Sequence, residues 1–167
     1  MVDAQVTNLA AELGTQLRQH GRWVTTAESC TGGGIAHAIT AISGSSSWFE
    51  MGYITYSNRA KQLLLGVKEE SLSLFGAVSE CVVREMAEGA LVNSSADISV
   101  AVSGIAGPTG GSTEKPVGIV WFAWAIKGGE TRALCQHFSG DRDAVRDQTI
   151  ITALRGLLSI GDKITEE

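Results

Sequence analysis

The stretch Trp23-Val24-Thr25-Thr26-Ala27-Glu28-Ser29-Cys30-Thr31-Gly32-Gly33-Gly34-Ile35 decides the fold class. Trp23 to Thr26 is a short β-branched run that reads as a strand, and the polar, glycine-rich segment from Glu28 to Gly34 follows it directly. Ile35, Ala38, Ile39 and Ile42 then recur at helical spacing. A strand therefore enters a helix through a Gly-rich turn, which is how an α/β unit begins.

The flanking elements extend that pattern. Upstream, Val6, Leu9, Leu13 and Leu17 predict an amphipathic helix that Gly21 stops. Downstream, Gly44-Ser45-Ser46-Ser47 reads as a loop and Trp48 to Tyr56 as a strand. Ser57 is an expected N-cap for a helix carrying Ala60, Leu63, Leu64 and Leu65 and closed by Gly66. Ser79 caps the next helix, with Val82, Val83, Met86 and Ala90 facing inward. Ile98 to Val102 is a buried strand that runs into the loop Ser103 to Gly111. Val117 to Ile126 and Thr131 to Phe138 read as a hairpin turning at Gly128-Gly129, and Asp141 starts a last helix. The sum is a single three-layer α/β/α domain over residues 1–167 with a mixed, mostly parallel sheet.

Composition narrows the function classes. The chain has 167 residues, 44% of them hydrophobic, which is ample for one packed core and argues against disorder. Its 13 Lys and Arg against 18 Asp and Glu, with no basic run, argue against a nucleic-acid partner. No stretch approaches the ~18 apolar residues of a membrane span. Asp3 and Glu12 fall where a signal peptide needs a basic start and an apolar core, and the three cysteines are too scattered for a disulfide framework. A reduced, cytoplasmic protein is expected. Apolar strands such as Ile119 to Ile126 point to a homodimer.

Three polar segments interrupt the apolar elements: residues 26–33, 56–61 and 103–111. In α/β domains ligands bind outside the carboxyl ends of strands, so three such ends on one sheet edge would make one site. Ser29 stands where a nucleophile would be exposed, with the N–H groups of the Gly32-Gly33 turn and of the Ser103-Gly104 loop available to an oxyanion; equally, it would serve as a helix cap. His20, His37 and His137 have no paired Asp in a sensible place. Lys61 is the better base, one turn into a helix whose N-terminus disfavours an ammonium, with Tyr56 as a proton relay; a solvated surface lysine is the alternative. Cys30 competes as a thiol nucleophile but lacks a paired His. Arg142 either clamps a phosphate or lies on the surface of a helix first turn. No His, Cys or carboxylate cluster has metal-ligand spacing, and neither GxGxxG nor GxxxxGK[ST] occurs, so no metal or cofactor is expected.

Five motifs in order carry a family resemblance: Thr25 to Gly33; Gly44-Ser45-Ser46; Gly52 to Asn58 with Lys61; Gly76 to Glu80; and Ser103 to Gly111 with Lys115-Pro116-Val117-Gly118. Together they closely resemble the CinA C-terminal domain family, over roughly Val6 to Leu158. The stand-alone members are nicotinamide-nucleotide amidases. The resemblance implies hydrolysis of nicotinamide mononucleotide to nicotinate mononucleotide and ammonia in pyridine nucleotide salvage. It implies catalytic roles for Ser29, Tyr56 and Lys61, with Thr31, Gly32, Gly33, Ser103, Gly104 and Arg142 as substrate-binding candidates. Longer relatives also hydrolyse ADP-ribose through an extra N-terminal domain absent from this sequence, so that activity is not carried over. The competing class is a non-enzymatic partner-binding module related to competence and DNA-damage-inducible proteins.

Overall fold

The computed structural model describes residues 3–165; the outermost positions of the expected 1–167 domain, residues 1, 2, 166 and 167, lie outside the described residues. The elements in chain order are α1 (Ala4–Gln19), β1 (Val24–Glu28), α2 (Gly34–Thr40), β2 (Phe49–Ile54), α3 (Asn58–Leu65), α4 (Glu69–Phe75), α5 (Glu80–Val92), β3 (Ile98–Gly104), β4 (Ile119–Ile126), β5 (Thr131–His137) and α6 (Arg142–Thr165). The five strands lie in the order β2-β1-β3-β4-β5. β1 is parallel to both β2 and β3, while β4 is antiparallel to β3 and to β5. Four of the five strands therefore share one direction and β4 alone is reversed, which is the expected mixed sheet.

The expected caps are present. The Ser57 hydroxyl accepts from Ala60 N and the Ser79 hydroxyl from Val82 N, and Gly66 ends α3 in the left-handed region. α4 has no counterpart in the sequence reading, because seven residues that bury only Ser71 and Leu72 show too little periodicity. Two expected strands are shorter than read. β2 starts after Trp48, whose N–H closes the Ser45–Ser47 turn, and β4 starts after Gly118, whose φ of 96° breaks the strand.

Both faces of the sheet are covered, which is why β1 is buried at all five positions and β3 at all but its last. One core joins the stripe Val6, Ala10, Leu13 and Leu17 of α1 to Ile35 and Ile39 of α2, Val145 and Leu154 of α6, and Val100, Phe122 and Trp124 of the sheet. The other packs Val82, Val83 and Met86 of α5 against Ala27, Ala101 and Ala123. Among the aromatic residues of β4, Phe122 and Trp124 stack in the first core, and Trp124 Nε1 donates to Ala153 O. Among the described residues no helix is long and apolar enough to cross a membrane.

This topology places the site. From β1 the chain moves to β2 on one side, then crosses over to β3 on the other. The carboxyl end of β1 is thus the switch point of the sheet, where a crevice opens.

Candidate active site

The carboxyl ends of β1, β2 and β3 border a cleft of about 280 Å³. Ser29, Cys30, Tyr56, Asn58, Lys61, Ser103, Gly104 and Arg142 all line it. The three polar segments of the sequence thus meet on one sheet edge, as the α/β pattern predicts.

At its floor Lys61 Nζ lies 2.9 Å from Ser29 Oγ, across 32 residues of sequence. Nζ also donates to Thr55 O at 2.8 Å and to Tyr56 O at 3.2 Å. The lysine is 1% exposed and the serine 8%. β2 turns into α3 within three residues, so the strand end supplies two carbonyls and the first helical turn supplies the amine. Burial lowers the Lys61 pKa from 10.5 to about 8. A neutral amine has two N–H donors and one lone pair. As an ammonium Nζ donates to Ser29 Oγ; as a neutral amine with both donors on the two carbonyls it would turn its lone pair to the serine hydroxyl.

The two readings of Ser29 separate here. The N-cap position of α2 is Gly33, with a φ of 100°, four residues beyond Ser29. Glu28 does the capping. Its fully buried carboxylate accepts from Thr31 Oγ1 at 2.6 Å, Ile35 N at 2.8 Å and Ala36 N at 3.0 Å. Ser29 N–H donates to Val102 O, leaving its hydroxyl to the cleft.

The same bonds take the Gly-rich turn away from the cleft. The Thr31 hydroxyl is engaged by Glu28, and Gly32 N–H donates to Ser29 O. Thr31, Gly32 and Gly33 do not line the cleft, whereas Ser103 and Gly104 do. Gly104 has to be glycine, because a Cβ there would lie 2.8 Å from Ile119 O and 2.7 Å from a Val120 methyl. Of the two expected oxyanion segments, Ser103–Gly104 borders the cleft and Gly32–Gly33 does not.

Arg142 spans the mouth: Nη1 donates to Gly107 O at 2.8 Å and Nη2 to the Tyr56 hydroxyl at 3.2 Å. Among the described residues no hydrogen bond joins the Tyr56 phenol to Lys61 or Ser29, so the structure does not bring the expected relay together. What Tyr56 gives the dyad is its carbonyl. Cys30 is buried, and that burial pushes its thiol up to about 12, so it carries no thiolate near neutrality. His20, His37 and His137 are exposed and outside the cleft. Asp141 accepts from Ala144 N, the helix-start role expected of it. Sequence reasoning missed Asn58, which lines the cleft one turn before Lys61, and Arg146, which donates to Thr31 O. Spacing alone does not separate either from an ordinary helix-surface residue. Among the described residues no three His, Cys, Asp or Glu side chains gather as metal ligands.

The model of the CinA C-terminal domain matches residues 6–160. The chain belongs to this family. It is 57% identical over 157 residues to the nicotinamide-nucleotide amidohydrolase PncC of Escherichia coli K12, spanning 94% of this chain and 95% of that protein. The protein of the same name from Enterobacter agglomerans is 56% identical, over 95% of this chain and 96% of its own length. Among solved structures, a competence/damage inducible protein from Agrobacterium tumefaciens superposes with a TM-score of 0.93. It is 44% identical, over 95% of this chain and 97% of that one.

Proposed function

We propose that this CinA-family chain is a nicotinamide-nucleotide amidohydrolase that converts nicotinamide mononucleotide to nicotinate mononucleotide and ammonia. One observation carries the chemistry: a buried lysine with a pKa lowered to about 8, two of its donors held by carbonyls, 2.9 Å from a serine hydroxyl at the floor of a cleft. The names of relatives at 56–57% identity over nearly full length supply the substrate.

In this reading Ser29 Oγ attacks the carboxamide carbon while its proton passes to Lys61. At pH 7 a pKa of about 8 leaves about one Lys61 in ten as the free amine, some 300-fold more than an unperturbed lysine would have. The oxyanion forms on the Ser103–Gly104 side. The Lys61 ammonium returns the proton to the amide nitrogen, the C–N bond breaks and ammonia leaves. Water then attacks the acyl–Ser29 ester, gives a proton to Lys61, and Ser29 Oγ regains one as the acid departs. Among the described residues no carboxylate lines the cleft, and Arg142 at its mouth suits the substrate phosphate. Tyr56 supports the base through its carbonyl and holds Arg142 through its phenol. The reading places the enzyme in the cytoplasm and as a homodimer, and sedimentation of the purified protein tests the second.

The deciding experiment measures ammonia release from nicotinamide mononucleotide by the wild type and by Ser29→Ala. Release that needs Ser29 supports the reading. No release from the wild type overturns it in favour of a binding module.

A further inference from the structure

Glu28 is a buried titratable group that the proposed reaction does not use. We infer that it is a positioning residue, one that holds Ser29 and Lys61 in register with each other from behind the cleft.

The case rests on two sets of bonds from one residue. The side chain gathers the turn that carries Ser29: Oε1 takes the Thr31 hydroxyl and Ile35 N–H, and Oε2 takes Ala36 N–H. No side chain occupies the N-cap position of α2, where Gly33 stands, so Glu28 satisfies two of its orphan amides from seven and eight residues upstream. The main-chain carbonyl of Glu28 accepts from Thr55 N–H at 2.8 Å, and Thr55 O in turn holds Lys61 Nζ. One residue therefore fixes the turn after the nucleophile and the carbonyl behind the base. The carboxylate is completely buried, so its three bonds are charge-assisted and shielded from water. It also closes the α2 amides to any anionic part of a substrate.

The chemistry gives the expected effect of loosening it. A dyad works only at contact distance, and a displacement of about 1 Å costs about 10²-fold in rate. Glu28→Ala strands a buried hydroxyl and two buried amides and frees the turn. Glu28→Gln keeps the shape but turns an NH₂ toward one of the three donors. Thr31→Val deletes one donor and leaves Glu28 in place, and Thr31→Ser restores it.

The inference rests on Ser29 as nucleophile, and its test does not depend on the amide substrate. Each variant is treated with a small sulfonyl fluoride, the rate of Ser29 modification is followed by mass spectrometry, and Tm is measured on the same samples. All rates are taken well below the lowest Tm. Expected are losses of about 10²-fold for Glu28→Ala and about tenfold for Glu28→Gln and Thr31→Val, with recovery in Thr31→Ser. Kcat for nicotinamide mononucleotide should fall in parallel while KM holds. The acid limb of the pH profile should stay put, because burial sets the Lys61 pKa. Should Glu28→Ala fail to fold, Glu28→Gln and Thr31→Val decide. Variants with lower Tm but wild-type Ser29 reactivity would overturn the inference and leave Glu28 a purely structural cap. A wild type that is modified at Ser29 yet releases no ammonia refutes the amidase reading alone.

Discussion

Consider Lys61→Met, which keeps most of the side chain's length and volume and removes the charge. Burial lowers the lysine from 10.5 to about 8, and at about 1.36 kcal/mol per pKa unit the fold disfavours the ammonium by roughly 3 kcal/mol. Because the folded pKa is depressed, the unfolded chain binds more protons between about pH 8 and 10.5, so wild-type stability rises with pH across that window. The penalty is fully present below about pH 8 and gone above about 10.5. Methionine carries none of it, but it leaves Thr55 O and Tyr56 O without their donor, at about 1 kcal/mol each. Lys61→Met should therefore be more stable than the wild type by about 1 kcal/mol at pH 7, and less stable by about 2 kcal/mol near pH 11. Urea unfolding of both proteins at the two pH values, taken as a difference so that other titrations cancel, measures this. A difference that stays constant with pH would refute the claim that burial perturbs this amine. The variant should also be inactive, an instance of an active group that destabilises its own fold.

Ser29→Ala should lower kcat by at least ~10³ while Tm barely moves, since one hydroxyl is lost and no large cavity opens. Cys30→Ala should keep most of the activity because its thiol is not ionised; an active Ser29→Ala beside a dead Cys30→Ala would reverse the assignment. The pH dependence of kcat/KM should rise and level off above about 8 as Lys61 loses its proton, and a midpoint near about 6.5 would point to a histidine instead. Arg142→Ala should raise KM for the nucleotide by about tenfold with kcat little changed, and an unaltered KM in steady-state assays would remove it from the phosphate subsite. Activity should survive EDTA; a loss restored by Zn²⁺ or Mg²⁺ would end the metal-free account.

What was legible in the sequence was local. The Ser57 and Ser79 caps, the Gly66 stop and the strand–turn–helix at residues 24–34 each announce themselves within four or five residues, because capping and turn chemistry act at that range. Ser29 and Lys61 could each be nominated from such signals, but their 2.9 Å contact depends on how β1 and β2 pair, which no local pattern encodes. That the Gly-rich turn lies outside the cleft lining is hidden from the sequence for a similar reason. Glu28 reaches forward past Thr31 to Ile35 and Ala36, and a carboxylate that closes a helix end from within the preceding strand looks like any strand-terminal glutamate. The sequence reading puts the Tyr56 phenol at the base as a proton relay, a role the family resemblance also implies. The chain direction at the start of α3 sends it to Arg142, leaving only its carbonyl at the dyad.

In the proposed reaction the arrangement would let a lysine act without the third residue that a histidine base requires. In a Ser-His-Asp site the carboxylate holds one imidazole tautomer and stabilises the cation that forms. In this site the two tasks fall to different parts of the fold. Thr55 O and Tyr56 O orient the amine, since two acceptors leave a neutral NH₂ one direction for its lone pair. Burial alone keeps that amine accessible near neutral pH, and a carboxylate beside it would undo the effect by holding the ammonium. That Glu28, the residue before Ser29, is itself a buried carboxylate makes the point sharper. Its oxygens are taken up by Thr31, Ile35 and Ala36 on the side of α2, so it shapes the turn without pairing with the base. The charge balance of the site thus follows from where one strand ends and which way its last side chain turns.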